Sequence, residues 1–275
     1  MSIANPLPTA TRTLDLNCDL GESFGVYRYG ADEAVMPLVT SANVACGAHA
    51  GDPRTMRTSV ELAARHGVAV GAHVGLPDRE GFGRRMIAVT AQEVHDLCLA
   101  QTGALSAFTR AAGIPLSHLK LHGALYMMAM GDAELAEAVC RAVLAFDDGL
   151  RVVALPASAL AAAARANGLT VVEEFFADRP YRNGAVTMFG WTPEDLGPPE
   201  AAGDRAGAML ADPSFASVGT VCVHSDTPGA PALLRAVRER LLHLGCDLRA
   251  PVPSGAAPSG ACLSGACLSG ACLSG

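Results

Sequence analysis

The sequence predicts an α/β protein built as a single β/α barrel of seven strands. Seven apolar, strand-like runs alternate with Ala- and Leu-rich stretches of helical spacing. Such alternation produces a parallel sheet with right-handed crossovers. Several of the strands have one aliphatic face and one small or polar face. A doubly wound sheet, buried on both faces, would instead show continuous aliphatic runs. We therefore favour a closed barrel with a polar lumen over an open sheet.

The strand predictions rest on side chains that alternate between two faces. In the first strand Asp15 and Asn17 alternate with leucines, and in the fourth His118, Lys120 and His122 do the same. In chain order, the predicted strands are Thr13–Asn17, Ser41–Ala45, Val68–Ala72, His118–Leu121, Val152–Leu155, Leu169–Val172 and Val218–Val223.

The helix predictions rest on helical spacing together with capping residues. Asp52 and Pro53 open the first helix with an N-cap and a first-turn proline. Glycines suited to helix C-caps follow four of the helices, at Gly67, Gly113, Gly168 and Gly245. The predicted helices are Thr55–His66, Ala91–Ala112, Asp132–Ala145, Ala157–Asn167 and Ala230–Leu244.

Composition narrows the function classes. The chain has 275 residues, is 50% hydrophobic and carries a formal charge of −7. This negative balance, without a Lys/Arg run, argues against a nucleic-acid groove or an anionic membrane surface. We see no secretory signal and no run of about 20 mostly apolar residues, so we expect a cytoplasmic protein without a membrane span.

The chain divides into three parts. We expect a flexible N-terminus over residues 1–12, a barrel domain with the catalytic residues over 13–249, and a low-complexity, disordered tail over 250–275. The tail repeats Ser-Gly-Ala-Cys-Leu from Ser259 onward and holds three of the nine cysteines. The other six show no CxxC pairing, so we expect neither a disulfide framework nor a cysteine zinc site.

Ionisable residues cluster just after the strands, where β/α barrels place their active sites. Lys120 lies within an apolar strand and needs a carboxylate partner, for which Asp15, Asp19 and Asp226 are the candidates. The clustered residues are Asp19 and Glu22, His49 and Asp52, His73, Lys120 and His122, Asp178 and Arg179, and His224 and Asp226.

Each of these residues also has a structural interpretation. Asp52 suits the N-cap of the helix that follows it. For Asp15, a hydrogen bond to neighbouring backbone is as well supported as a functional role. A single histidine after a strand is more often a loop or capping residue than a functional one.

A metal site is also open, with Asp19 and His49, His73 or His122 as ligands. His118 and His122 would lie about 13 Å apart along a strand, so they cannot share one ion. The chain lacks the Walker A, GxGxxG and GxSxG motifs.

Eight short segments of the chain form a recognisable set. They are Leu14–Ser23, Ser41–Pro53, Gly71–His73, Pro77–Asp78, Gly81–Arg85, Lys120–Tyr126, Phe176–Arg179 and Val221–Asp226. Together they resemble the LamB/YcsF family, the A subunit of the bacterial 5-oxoprolinase. The resemblance implies a barrel of the glycoside hydrolase/deacetylase type, ATP-dependent opening of 5-oxoproline to L-glutamate, and two partner subunits of the B and C types. The family usually has Pro, Gly and Asn where this chain has Leu121, Ser225 and Met127.

The implied reaction suggests residue roles. A lactam is a poor electrophile, and phosphorylating its amide oxygen from ATP, with Mg²⁺, would create a leaving group. Asp19 and Asp226 are base or Mg²⁺-ligand candidates, and Lys120 and Arg179 are anion-stabilising candidates. The full catalytic set is Asp19, His49, His73, Lys120, His122 and Asp226, and the substrate- or phosphate-binding set is Asn17, Glu22, Arg84, Arg179 and His224.

Two alternative functions remain open. The first is a stand-alone, metal-dependent, deacetylase-like amidohydrolase, for which Asp19, His49 and His73 are the metal-ligand candidates. The second is a non-catalytic subunit that binds 5-oxoproline.

Overall fold

The computed structural model describes residues 12–182 and 184–251. Most of the expected flexible N-terminus and nearly all of the expected disordered tail therefore lie outside the described residues. Arg12 is described, and its guanidinium donates to the carbonyl of Phe215 at 2.9 Å and to that of Val218 at 2.8 Å.

A closed barrel of seven parallel strands forms the centre of the protein. In chain order, the strands of the protein are β1 Thr13–Leu20, β2 Ser41–Ala45, β3 Ala69–Val74, β4 Leu116–Leu121, β5 Arg151–Ala154, β6 Val171–Phe176, β7 Tyr181–Arg182, β8 Ala185–Val186, β9 Val218–Cys222 and β10 Asp247–Leu248. The barrel strands lie in the order β1-β2-β3-β4-β5-β6-β9, and β9 pairs back onto β1. β7 and β8 form a small antiparallel hairpin, and β10 pairs with the start of β1. The prediction of a seven-stranded β/α barrel is confirmed.

Helices connect the strands. They are α1 Asp32–Val35, α2 Pro53–His66, α3 Ala91–Ala111, α4 Gly123–Gly131, α5 Ala133–Phe146, α6 Ala159–Ala166, α7 Pro193–Leu196, α8 Pro199–Ala211 and α9 Ala230–His243. Asp52 caps α2 by accepting the Thr55 amide at 2.7 Å, and Gly67 ends that helix with φ 66°. None of the described helices combines the length and apolarity needed to cross a membrane.

The two faces of the strands explain why the barrel closes. On β1, Leu14 and Leu16 are fully buried and belong to the apolar core. On the opposite face Asp15 accepts hydrogen bonds from the hydroxyls of Thr40, Ser41 and Thr220, at 2.5, 2.7 and 2.5 Å. Because these three bonds satisfy the buried carboxylate, Asp15 is a structural residue that ties neighbouring strands together.

Candidate active site

Asp19, at the end of β1, is the centre of a buried network in the lumen. Its Oδ1 accepts from Asn43 at 2.8 Å and from the Lys120 ammonium at 3.1 Å. Its Oδ2 lies 3.3 Å from His73 Nε2 and 3.7 Å from His224 Nε2. Burial raises the pKa of Asp19, but the charges of His73 and Lys120 outweigh burial and hold the pKa well below its usual range. Asp19 is therefore ionised at neutral pH.

Lys120 is the only lysine in the sequence and is almost completely buried. Its Nζ lies 3.0 Å from Glu174 Oε2, and it donates to Cys222 Sγ at 3.1 Å and to Asn17 Oδ1 at 3.3 Å. Burial lowers the pKa of Lys120, but Asp19, Cys222 and Glu174 outweigh that effect and raise it well above its usual value. The ammonium is held between two carboxylates, so its charge is already compensated.

Of the three partners predicted for Lys120, only Asp19 forms the ion pair. Asp15 bonds three hydroxyls instead, and Asp226 pairs with Arg84. The second partner, Glu174, was not predicted. Asn17 also accepts from Asn43 at 2.8 Å and donates to Thr220 at 2.7 Å, so it belongs to the lumen network.

Three histidines and a glutamate form a second buried group beside Asp19. The rings of His49 and His122 stack with centroids 3.8 Å apart, and His122 Nδ1 lies 2.9 Å from His73 Nε2. Glu22 Oε1 lies 3.5 Å from His49 Nε2 and 3.8 Å from His122 Nδ1. A Cβ on Gly75 would clash with the His49 ring, so only glycine leaves room for it. The strand ends thus bring all four candidates together.

The hydrogen bonds of this group fix its protonation pattern. His122 Nε2 faces the carbonyl of Phe82 at 2.8 Å, and His73 Nδ1 faces the carbonyl of Lys120 at 3.2 Å. Carbonyl oxygens only accept, so both nitrogens carry hydrogen. In neutral rings the remaining nitrogens, His122 Nδ1 and His73 Nε2, would then point lone pairs at each other. This contact requires an extra proton or a metal cation.

Burial shifts the pKa values of Glu22, His49 and His122. Burial and the charges of neighbouring histidines lower the pKa values of His49 and His122 well below normal. Burial and the charges of Asp19 and Asp226 raise the pKa of Glu22 well above its usual range. Four ligand atoms, one each from Glu22, His49, His73 and His122, lie within 4.8 Å of one another. Glu22 Oε1 and both His49 ring nitrogens have no hydrogen-bond partner among the described residues. These buried nitrogen and carboxylate atoms fit a divalent cation.

Asp178 and Arg179, after β6, support His224. Asp178 Oδ1 lies 3.0 Å from His224 Nδ1, and Asp178 Oδ2 accepts from the hydroxyl of Thr227 at 2.6 Å and from Arg179 at 2.7 Å. A carboxylate acceptor places the proton on His224 Nδ1 and leaves Nε2 as an acceptor on the side of Asp19. Burial raises the pKa of Asp178, but Arg179 and His224 outweigh it and lower the pKa.

The last two candidates lie at the mouth of the barrel. Arg84 forms an ion pair with Asp226, whose Oδ1 lies 4.0 Å from Arg179 Nη2. The cavity below this pair measures about 20 Å³, close to the space of one water molecule. A wider groove of about 600 Å³ lies between the loop after β1 and α2, and it shares no lining residue with the lumen cavity.

The structure therefore places the eleven candidates in two positions. Nine are buried in the lumen or at its upper end, and Arg84 and Asp226 close the mouth. Asp52 caps α2 and lies outside this group. Asn43 and Cys222 were missed, although both occupy lumen-facing positions that alternation marks within predicted strands. Glu174 was missed because it lies beyond the end of the predicted sixth strand. The nine buried candidates are Asn17, Asp19, Glu22, His49, His73, Lys120, His122, Arg179 and His224.

Comparisons with known proteins agree with this arrangement. A model of the LamB/YcsF family matches residues 14–255. A Symbiobacterium thermophilum protein, named as the A subunit of 5-oxoprolinase, is 48% identical over 250 residues, which cover 87% of this chain and 96% of that protein. A Thermus thermophilus protein of the same name is 47% identical over 247 residues, covering 86% and 99%.

Solved structures share the fold. A lactam utilization protein of Thermus thermophilus is 44% identical with a TM-score of 0.79, covering 86% of this chain and 99% of that one. An uncharacterized protein of Agrobacterium tumefaciens is similar in fold alone, at 13% identity and a TM-score of 0.52, covering 84% and 83%.

Proposed function

Because this chain belongs to the LamB/YcsF family, we propose that it is the A subunit of a 5-oxoprolinase, a hydrolase that opens the cyclic amide of 5-oxo-L-proline to give L-glutamate. The observation that carries the proposal is 44–48% identity, over most of the chain, with proteins named as that subunit. The lumen supports it, since one buried site holds acids, histidines and compensated cations. Amide hydrolysis requires groups of these types.

The proposal includes ATP and two further subunits. Resonance makes a lactam a poor electrophile, so ring opening gains from phosphorylation of the amide oxygen. Water adds to the activated carbon, the ring C–N bond breaks as its nitrogen takes a proton, and a second water hydrolyses the resulting acyl phosphate to the carboxylate and phosphate. ATP with Mg²⁺ is the phosphoryl donor, and subunits of the B and C types complete the enzyme.

The contacts in the lumen support the following residue roles. Asp19, held ionised, orients His73 and His224, whose Nε2 atoms lie 3.3 and 3.7 Å from its Oδ2. Glu22, with its raised pKa, and His122 transfer protons at the upper end of the lumen.

The positively charged side chains have different proposed roles. Lys120 keeps Asp19 charged and in place, because its own charge is compensated within the lumen. Arg84 and Arg179 lie near the mouth, where the substrate carboxylate or a phosphate would enter, and Asp226 pairs with Arg84 there.

One observation favours a second candidate, a metal-dependent amidohydrolase. The facing lone pairs of His73 and His122, together with the unpartnered atoms of Glu22 and His49, fit a divalent cation. Glu22, His49, His73 and His122 would hold it, and Asp19 is next to His73. Such a cation supplies Lewis-acid polarisation of an amide carbonyl.

The test measures glutamate formed from 5-oxoproline by the chain with purified B- and C-type subunits. Turnover that requires ATP and all components is the expected result. Asp19→Asn should lower turnover by about 100-fold or more, since it removes the charge at the centre of the network. Asp52→Asn is the matched control, because Asp52 caps α2 outside the lumen and asparagine is an equally good cap. Glutamate formed by the chain and a divalent metal alone, without ATP, would favour the second candidate.

A further inference from the structure

Exposed large apolar side chains gather around the mouth of the barrel. Three segments, 21–31, 75–90 and 177–192 without residue 183, form what we call the apolar rim, and within it Val26, Tyr27 and Met86 are 86, 74 and 70% exposed. In the part of the chain that the structure describes, the exposed large apolar residues outside the rim are on or beside helices α5 and α9. Exposed apolar residues concentrated in one region mark an interaction site. The rim presents Phe24, Val26, Tyr27, Tyr29, Met86, Ile87 and Phe189.

The rim is a preformed surface. Phe24 and Tyr27 exchange two backbone hydrogen bonds, at 3.1 and 2.9 Å. The Arg79 guanidinium lies 4.1 Å from the centroid of the Phe24 ring, and the rings of Tyr29 and Phe82 have centroids 4.8 Å apart. These contacts join the first two segments, so a partner binding here would lose little entropy in ordering them.

The charge of the rim is opposite to that of the whole chain. Its three segments carry six arginines and four acidic residues, whereas the whole chain has a formal charge of −7. Of those four acids only Glu80 is exposed, while Arg28, Arg79, Arg85 and Arg182 are exposed. Aromatic residues, Met and Arg are the types enriched in protein interfaces. Two rims facing each other would oppose like charges, so the composition fits a different protein with acidic side chains around an apolar patch.

The rim is directly connected to the catalytic histidines. The Phe82 carbonyl, in the second segment, accepts from His122 Nε2 at 2.8 Å, and the Gly83 carbonyl accepts from the Ala124 amide at 2.9 Å. Phe82 has φ 54°, a left-handed conformation that is uncommon for a side chain of this size. The lumen cavity of about 20 Å³ is lined by Arg84, Arg179 and Phe189 from the second and third segments, so the rim borders the cavity directly.

We propose that the apolar rim is the docking surface for another subunit of the enzyme, one that presents an apolar patch flanked by acidic side chains. Docking there contacts the segment that holds His122 and so couples the partner to the lumen. This inference rests on the proposed function, since it takes the partner to be a 5-oxoprolinase subunit.

The test measures the affinity of the chain for purified B- and C-type subunits by titration calorimetry, without substrate or ATP. Val26→Asp and Tyr27→Ser should each weaken binding by about 10-fold or more, as expected for central interface residues. Leu242→Asp is the matched control, because it places the same charge on an exposed leucine of α9, and it should bind as wild type does. Arg28→Glu should weaken binding at low salt, with a difference that shrinks in about 0.5 M NaCl. Thermal unfolding of each variant checks that it folds.

Folded rim variants that bind with wild-type affinity would overturn the proposal. It also fails if wild type binds neither subunit, or if the rim variants alter only self-association, because a second copy would then occupy the rim. Binding is measured apart from turnover. A wild-type complex that forms but makes no glutamate would therefore count against the proposed function and leave the docking result intact.

Discussion

Replacing Lys120 by methionine would remove a cation that lies between two buried carboxylates. The ammonium lies 3.1 Å from Asp19 Oδ1 and 3.0 Å from Glu174 Oε2, and all three side chains are at most 4% exposed. Removing one member of a buried ion pair costs about 3–5 kcal/mol, because the remaining charge is left without compensation. We therefore expect Lys120→Met to lower the free energy of unfolding at pH 7 by about 3–5 kcal/mol.

Urea unfolding followed by circular dichroism measures this loss. The double variant Lys120→Met/Glu174→Gln removes one of the stranded carboxylates and should recover about 1–3 kcal/mol. Arg57→Met is the control, since it breaks the half-exposed Arg57–Glu61 pair on α2 and should cost about 1 kcal/mol or less. The reasoning is refuted if Lys120→Met costs no more than this control, or if the double variant is no more stable than the single one.

Three further predictions follow from the buried network. Burial lowers the pKa of His118 to about 3, so the unfolded chain binds a proton below pH ~6.5 that the native chain does not. His118 alone should thus lower native stability by about 2 kcal/mol between pH 6.5 and 5, and His118→Gln should remove this part of the slope in urea unfolding while the part due to His49 and His122 remains. Asp178→Asn removes the carboxylate that holds His224 Nδ1. We expect it to lower glutamate production by about 10-fold or more, and undiminished production would contradict this. If the histidine group holds a metal, mass spectrometry should find about one divalent ion per chain, lost in His49→Ala and kept in His95→Ala; equal metal content in both variants would contradict this.

Strand alternation predicted most of the barrel and its lumen. On β1, Asp15, Asn17 and Asp19 alternate with apolar residues. This pattern requires one polar and one apolar face, and the structure has this arrangement. The same rule placed Lys120 and His122 toward the lumen. These predictions succeeded because a buried ionisable residue on a strand has few satisfactory positions other than a polar lumen.

Glu174 shows why part of the site could not be predicted. The sixth strand was predicted as Leu169–Val172, but β6 extends over Val171–Phe176. Two consecutive glutamates resemble a loop, yet they face opposite sides of the strand. Glu173 pairs outward with Arg165, and Glu174 pairs inward with Lys120.

Ion pairs between residues far apart in the chain could not be predicted from the sequence either. Arg84 and Asp226 are 142 residues apart and meet only because the loops after β3 and β9 converge at the mouth. Helices α4 and α8 were not predicted. α4 is apolar on all sides and so shows no amphipathic pattern, and α8 contains one proline and two glycines, which are poor helix formers.

Glutamate production from 5-oxoproline by the wild-type chain with purified B- and C-type subunits and ATP is the decisive measurement for the proposed function. Turnover should disappear when this chain is omitted, fall by about 100-fold or more when it carries Asp19→Asn, and persist with Asp52→Asn. Equal turnover with and without this chain, or undiminished turnover with Asp19→Asn, would contradict the proposed function.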